Sequence, residues 1–382
     1  MKAHLTLFAA TLALLASPRL IDAQQYYGRP QAGMMIPAGY SMGYGAPVAP
    51  GAMAYPATQQ PVPDDCGSCA NCGDCKSVLC CADGCHTPTW YAYADYLYLR
   101  PSDEKVSYAV PFNGDVTQTP QIVQIGEEAV VDPGFDTGLR VGFGHSVSDC
   151  ATLGGVYTWY ENSEEDSITL EAPLLRSLVQ HPGTAAAPSN FLAAAADYDI
   201  EFQLADIEYR STFWCGELFA ARYVVAARYA HLEERFDSVF VVGANAESVN
   251  TDVTFDGAGI RLGLEGERYA CNSGLMVYSR ANASFLTGQF DTDYSQRNTQ
   301  FGLLVDTGWK EDRVISILDL EVGGGWRSQN DVLRVTAGYM FSAWYNVIST
   351  EELINAVQSA DSTNADDTLT FSGLVVRSEV RF

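Results

Sequence analysis

From Trp90 to its last residue, the chain alternates apolar and polar positions. Near the end, Leu374, Val376, Val380 and Phe382 share one parity, and Val375, Arg377, Glu379 and Arg381 share the other. A strand points successive side chains to opposite faces, so this segment has one apolar and one mostly charged face. The pattern recurs. Arg222 and Arg228 alternate with Phe219, Ala221, Tyr223, Val225, Ala227 and Tyr229. Arg261, Glu265 and Glu267 oppose Ile260, Leu262 and Leu264, and Arg280 opposes Val277, Ala281, Ala283 and Phe285. Asp319 and Glu321 oppose Leu318, Leu320 and Val322; Arg334 opposes Leu333, Val335 and Ala337; Arg140 sits between Leu139 and Val141.

This periodicity predicts ten strands, at 90–100, 135–144, 151–161, 198–211, 217–230, 253–268, 274–290, 313–326, 331–346 and 369–382. Tight turns are expected near 145–149, 212–217 and 269–274. Long loops are expected over 100–134, 162–197, 236–251, 291–312 and 347–368. If 299–306 and a partner join the wall, the count becomes twelve. One segment conflicts with the rule: in 198–210, Ile200, Phe202 and Leu204 share parity with Asp206 and Glu208. Either a bulge flips the register near Ala205, or the first half projects beyond a bilayer, leaving Ile207 and Tyr209 to face lipid. An even set of apolar-out, polar-in strands joined alternately by short and long connections is an all-β fold, a closed antiparallel transmembrane β-barrel.

The N-terminus changes the picture by supplying an export signal. Lys2 precedes an apolar run over residues 5–16, too short to span a membrane as a helix, with Ala23 a cleavage position. The domains expected are a signal peptide (1–23), a disordered Gly/Pro/Ala/Tyr tail (24–63), a cysteine-rich module (64–89) and the barrel (90–382). The net charge of −25 excludes nucleic acid as a partner. It does not describe the barrel interior, because acids crowd into expected loops at Glu161, Glu164, Glu165, Asp166, Asp361, Asp366 and Asp367.

Parity places Arg140, Arg210, Arg222, Arg228, Arg261, Arg280, Arg334, Arg377 and Arg381 in the lumen. Facing them are Asp206, Glu208, Glu265, Glu267, Asp319, Glu321 and Glu379. Opposed charges of this kind tune selectivity in an open pore; in a narrow barrel they simply fill the interior. Trp90, Trp159, Trp326 and Trp344 fall near strand ends, as an interfacial girdle would. No enzyme constellation, cofactor motif or metal-ligand spacing of histidines stands out, and the chain is expected not to be an enzyme.

The cysteines form two groups. Cys66, Cys69, Cys72, Cys75, Cys80, Cys81 and Cys85 lie in the module, while Cys150, Cys215 and Cys271 fall in or beside the three tight turns. Export to an oxidising compartment favours disulfides, with zinc and iron–sulfur ligation as alternatives. Seven and three are both odd, so complete oxidation within the chain needs a bond between module and rim. Otherwise a thiol links to a second copy or another envelope protein, or the three rim cysteines are small turn residues left reduced.

The segments WYAYADYLYLRP, FDTGLRVGFG, ADIEYR, GAGIRLGLEGER, LRVTAGYMFSAWYNV and FSGLVVRSEVRF, in that order, resemble the Legionella major outer-membrane-protein-like family of pore-forming barrels. They are similar above all to planctomycete-type members with a cysteine-rich leader. The terminal Phe382 resembles the signature read by the barrel-assembly machinery. The resemblance implies an outer-membrane, porin-like barrel, partnered by lipid, for passive passage of small solutes, and brings no catalytic residues. The alternatives are a non-conducting barrel acting as surface anchor, adhesin or cross-linked envelope protein, and a secreted soluble β-sandwich.

Overall fold

The computed structural model describes residues 89–382, apart from 103, 115–122, 149, 171–173, 185–189, 217, 271–272 and 363–364. The expected signal peptide, tail and cysteine module lie outside the described residues, save Thr89.

Ten long strands form the wall: β1 (Trp90–Ser102), β4 (Asp136–Ser148), β5 (Ala151–Thr169), β7 (Ala193–Cys215), β8 (Phe219–Val242), β9 (Asn245–Tyr269), β10 (Leu275–Asn298), β11 (Gly302–Arg327), β12 (Leu333–Val347) and β13 (Asp367–Arg381). Each pairs antiparallel with its neighbours, and β1 pairs with β13 to close the ring. The seam is tied at its end by Trp90 and Phe382, which exchange backbone hydrogen bonds of 2.8 and 2.9 Å. At this seam Gly373 is a packing requirement: a Cβ there would lie 2.0 Å from the Tyr98 carbonyl oxygen. The short elements β2 (Val106–Phe112), β3 (Ala129–Val131) and β6 (Leu174–Ser177) make a separate sheet in the order β3–β2–β6. Helix α1 (Thr350–Ser359) follows β12, capped by the Ser349 side chain, which accepts from the Glu352 amide, and closed by a left-handed Ala360.

The expected count of ten holds, but the strands run further than the apolar alternation predicted. Residues 236–251 and 291–312 are not loops. They are the upper halves of β8–β9 and β10–β11, joined by tight hairpins. The segment 299–306 lies in the turn and first residues of β11, not in an eleventh strand. Likewise Glu161, Glu164, Glu165 and Asp166 belong to β5.

The reason lies in a change of polarity along each strand. On β8, Phe219, Tyr223, Val225 and Tyr229 face out; from there the outward residues become His231, Glu233, Arg235 and Asp237. Ten residues at ~3.3 Å rise and ~40° tilt give a band about 25 Å tall, the height of a lipid-facing belt. Above it the arrangement inverts. Inward positions are mostly apolar (Leu232, Phe236, Phe240) and outward ones mostly polar, as in a water-exposed wall around a dry core. The conflict in 198–210 is resolved the same way. β7 keeps one register past Ala205, with its first shift only between Thr212 and Trp214. Ile200, Phe202 and Leu204 point inward above the belt, and Asp206 and Glu208 point inward within it. No bulge is needed.

Trp90, Trp159 and Trp326 are outward and exposed, as a girdle requires. Trp344 is not: it is 1% exposed, inside the barrel beside Phe202 and Phe371. Its even number puts it on the parity of Ser342 and Met340, which face in.

Candidate functional site

Ten strands spaced ~4.8 Å and tilted ~40° enclose a radius of about 10 Å to the backbone. Extended arginine and carboxylate side chains from opposite walls meet across that width. The arginines and carboxylates assigned to the lumen by parity do face inward, and they are paired rather than free.

Arg228 is the hub. Its Nε and Nη2 donate to the two oxygens of Asp206 at 2.7 and 3.0 Å, and its Nη1 donates to Ser284 Oγ and Asp319 Oδ2, both at 3.1 Å. Arg261 holds Asp206 from the far side at 2.5 Å. Glu321 lies between Arg280 (2.7 Å) and Arg140 (3.4 Å). Lower down, Glu267 joins Arg222 (2.9 Å) to Arg334 (2.7 Å), and Arg210 pairs with Glu208 (2.6 Å) and Glu265 (3.6 Å). At the rim, Arg381 pairs with Glu379 (2.6 Å) and Asp331 (3.2 Å).

Among the inward residues that escaped the parity reading are three on β1. Asp95 is fully buried, takes a two-pronged pair from Arg377 (2.6 and 2.8 Å) and meets Arg140 at 3.0 Å. Tyr91 and Tyr93 stack beside it, and the Arg377 guanidinium lies 3.8 Å from the centre of the Tyr93 ring. The signal was there: Asp95 shares the parity of both tyrosines. It was hidden because β1 carries aromatic residues on both faces.

The open space left in this layer is a cavity of about 40 Å³, lined among others by Arg140, Asp206, Arg228, Glu265, Asp319 and Arg377. That holds about three waters. Above the charged layer the lumen closes a second time, on Phe202, Phe255, Phe290, Trp344 and Phe371, with Leu353, Ile354 and Val357 of α1 packed into the outer mouth. Charges this well buried are stable only while each keeps its partners, since desolvation costs several kcal/mol per ion.

The cysteine expectations are reached only in part. Cys150, in the β4–β5 turn, has no disulfide partner among the described residues, and its carbonyl accepts from the Thr212 amide at 2.9 Å. The backbone of Cys215 ends β7 on the same rim. Cys271 and the module cysteines Cys66, Cys69, Cys72, Cys75, Cys80, Cys81 and Cys85 lie outside the described residues. Among the described residues no cluster of His, Cys, Asp and Glu is arranged to hold a metal.

A family model described as the Legionella pneumophila major outer membrane protein precursor matches residues 83–382. No curated protein matches the chain. Among solved structures, the outer membrane protease OmpT of Escherichia coli aligns at 6% identity, covering 81% of this chain and 100% of that one, with a TM-score of 0.43. The toluene transporter TodX of Pseudomonas putida aligns at 7% identity over 77% of this chain and 90% of its own, with a TM-score of 0.31. The toluene transporter TbuX of Ralstonia pickettii aligns at 11% identity over 78% and 90%, with a TM-score of 0.34.

Proposed function

Because this chain belongs to the Legionella pneumophila major outer membrane protein family, we propose that it is an outer-membrane barrel whose work is anchorage, not permeation. It would hold an acidic, water-exposed extension above the outer leaflet. The observation that carries this reading is the double closure of the lumen, first by the Arg228–Asp206–Asp319 layer and then by the aromatic core beneath α1. Such a role needs no catalysis and no cofactor. Its partners would be lipid around the belt, the barrel-assembly machinery, and a covalent neighbour for the rim or module thiols.

The test is planar-bilayer recording of the purified, folded chain. The expected result is no steady unitary conductance in 1 M salt at either sign of potential. Reproducible unitary steps would overturn the anchor reading.

A second reading, a narrow porin-like path for small solutes, is favoured by the charged lining and its residual cavity of about 40 Å³. In that case the near balance of arginine and carboxylate predicts weak ion selectivity, and reversal potentials under a salt gradient would measure it.

A further inference from the structure

Helix α1 sits in the outer mouth over two buried carboxyl groups that play no part in the charged layer below. Glu104, in the β1–β2 connection, is 3% exposed, and Glu234, on β8 above the lipid belt, is fully buried. Between them stands the hydroxyl of Tyr198, 3.2 Å from Glu104 Oε2 and 3.1 Å from Glu234 Oε2. Glu234 Oε2 also accepts from the Thr350 amide (2.9 Å) and the Thr350 hydroxyl (3.2 Å), the first residue of α1. Glu104 Oε1 and Glu234 Oε1 are both buried without a hydrogen-bond partner.

A phenol has one hydrogen and can satisfy only one carboxylate at a time. With Glu234 already the acceptor for Thr350, the consistent arrangement has the Tyr198 hydroxyl donating to Glu234 and a protonated Glu104 donating to the Tyr198 oxygen. The pair is bonded while Glu104 is neutral; once both groups are charged, two anions face each other through one oxygen.

Among the described residues no cation is paired with either carboxyl. Asp367 of β13 and Glu351 and Glu352 of α1 are acidic neighbours. Lys105 and Arg100 are committed to Asp132 at 3.0 Å, and Arg313 of β11 to Glu311 (2.9 Å) and the Ala365 carbonyl (2.7 Å).

We propose that α1 is a proton-operated latch: docked in the outer mouth while Glu104 and Glu234 hold a proton between them through Tyr198, and released when both are charged. The segment has the means to move as a unit. It leaves β12 through a register shift around Asn346, which has a left-handed backbone (φ 66°), and ends at a left-handed Ala360. Burial, with the neighbouring Glu234 charge adding to it, lifts the Glu104 carboxyl well above its ordinary range, and burial lifts Glu234 to about 7. Both shifts are upward, so docking is strongest below the ordinary carboxylate value of 4.5 and weakens as pH rises through about 7. The latch does not depend on whether the barrel conducts, because the charged layer below is separate from it.

Hydrogen exchange of the full chain in detergent, corrected for the intrinsic pH dependence of exchange, tests the idea. Protection of the 350–360 amides should fall at least ~10-fold between pH 5 and pH 8, one pKa unit corresponding to ~10-fold, while amides of β10 in the belt stay protected. In Glu104→Gln the side-chain amide donates permanently to Tyr198, so α1 should stay protected at pH 8. A pH-independent wild type, a Glu104→Gln profile equal to wild type, or parallel loss of protection in β10 would overturn the latch. Calcium chloride restoring protection at pH 8 would overturn it as well, in favour of a cation site.

Discussion

Replacing Arg228 with Met should be among the most damaging single changes in the wall, although the side chain touches no lipid and almost no solvent. The guanidinium is 5% exposed and supplies four hydrogen bonds, two to Asp206, one to Asp319 and one to Ser284. Methionine keeps much of the volume and removes all four. Asp206 is then left to Arg261, and Asp319 to the Ser342 hydroxyl at 2.6 Å. Removing one partner from a buried ion pair costs about 3–5 kcal/mol, because the survivor stays charged and dry. The matched control is Arg235→Met on the same strand. Arg235 is outward, about half exposed and paired with Glu233, where the expected cost is about 0–1 kcal/mol. Adding Asp319→Asn to Arg228→Met removes one stranded charge and should recover part of the loss, a coupling of about 0.5–3 kcal/mol. Urea unfolding of the full chain in micelles, read by tryptophan fluorescence and by unheated gel migration, gives each value. If Arg228→Met falls within 1 kcal/mol of wild type, or matches Arg235→Met, water reaches the layer freely. The lumen would then be a solvated channel, and the closed-barrel reading would fail with it.

Other expectations follow from the same geometry. Ala337 faces out between Val376 on one neighbouring strand and Gly324 on the other, so Ala337→Arg should cost about 2–4 kcal/mol near the bilayer midplane; an unchanged unfolding midpoint in vesicles would show that this face does not meet lipid. Gly373→Ala pushes a methyl against the Tyr98 carbonyl at the closing seam and should cost about 1–3 kcal/mol, seen as a lower temperature for loss of the fast-migrating folded band. The purified chain should give no steady unitary conductance, and exchange protection of α1 should fall between pH 5 and pH 8 unless Glu104 is replaced by Gln.

The sequence by itself determined the faces. A strand has a side-chain period of two, so once Arg222, Arg261, Arg280, Arg334 and Arg377 oppose the apolar residues of their own strands, their direction follows without coordinates. Strand number followed only to ten or twelve: three tight turns were legible, but the place of 299–306 was not, and the structure puts it in the β10–β11 turn and the first residues of β11. What alternation could not reveal was where the lipid ends. Parity continues unbroken through β7 and β8 while the polarity of each face inverts, so the upper halves read as loops to a rule that expects apolar residues outside. Trp344 was misplaced for the same reason: above the belt, a large aromatic belongs inside.

Only the tertiary structure decided how the lumen is filled. That depends on the radius of the closed ring and on which charges meet across it. Asp95 and Arg377 lie 282 residues apart, and Arg140 and Glu321 lie 181 apart. No local pattern encodes such partners, because closing the ring, not the spacing along the chain, brings them within hydrogen-bond distance.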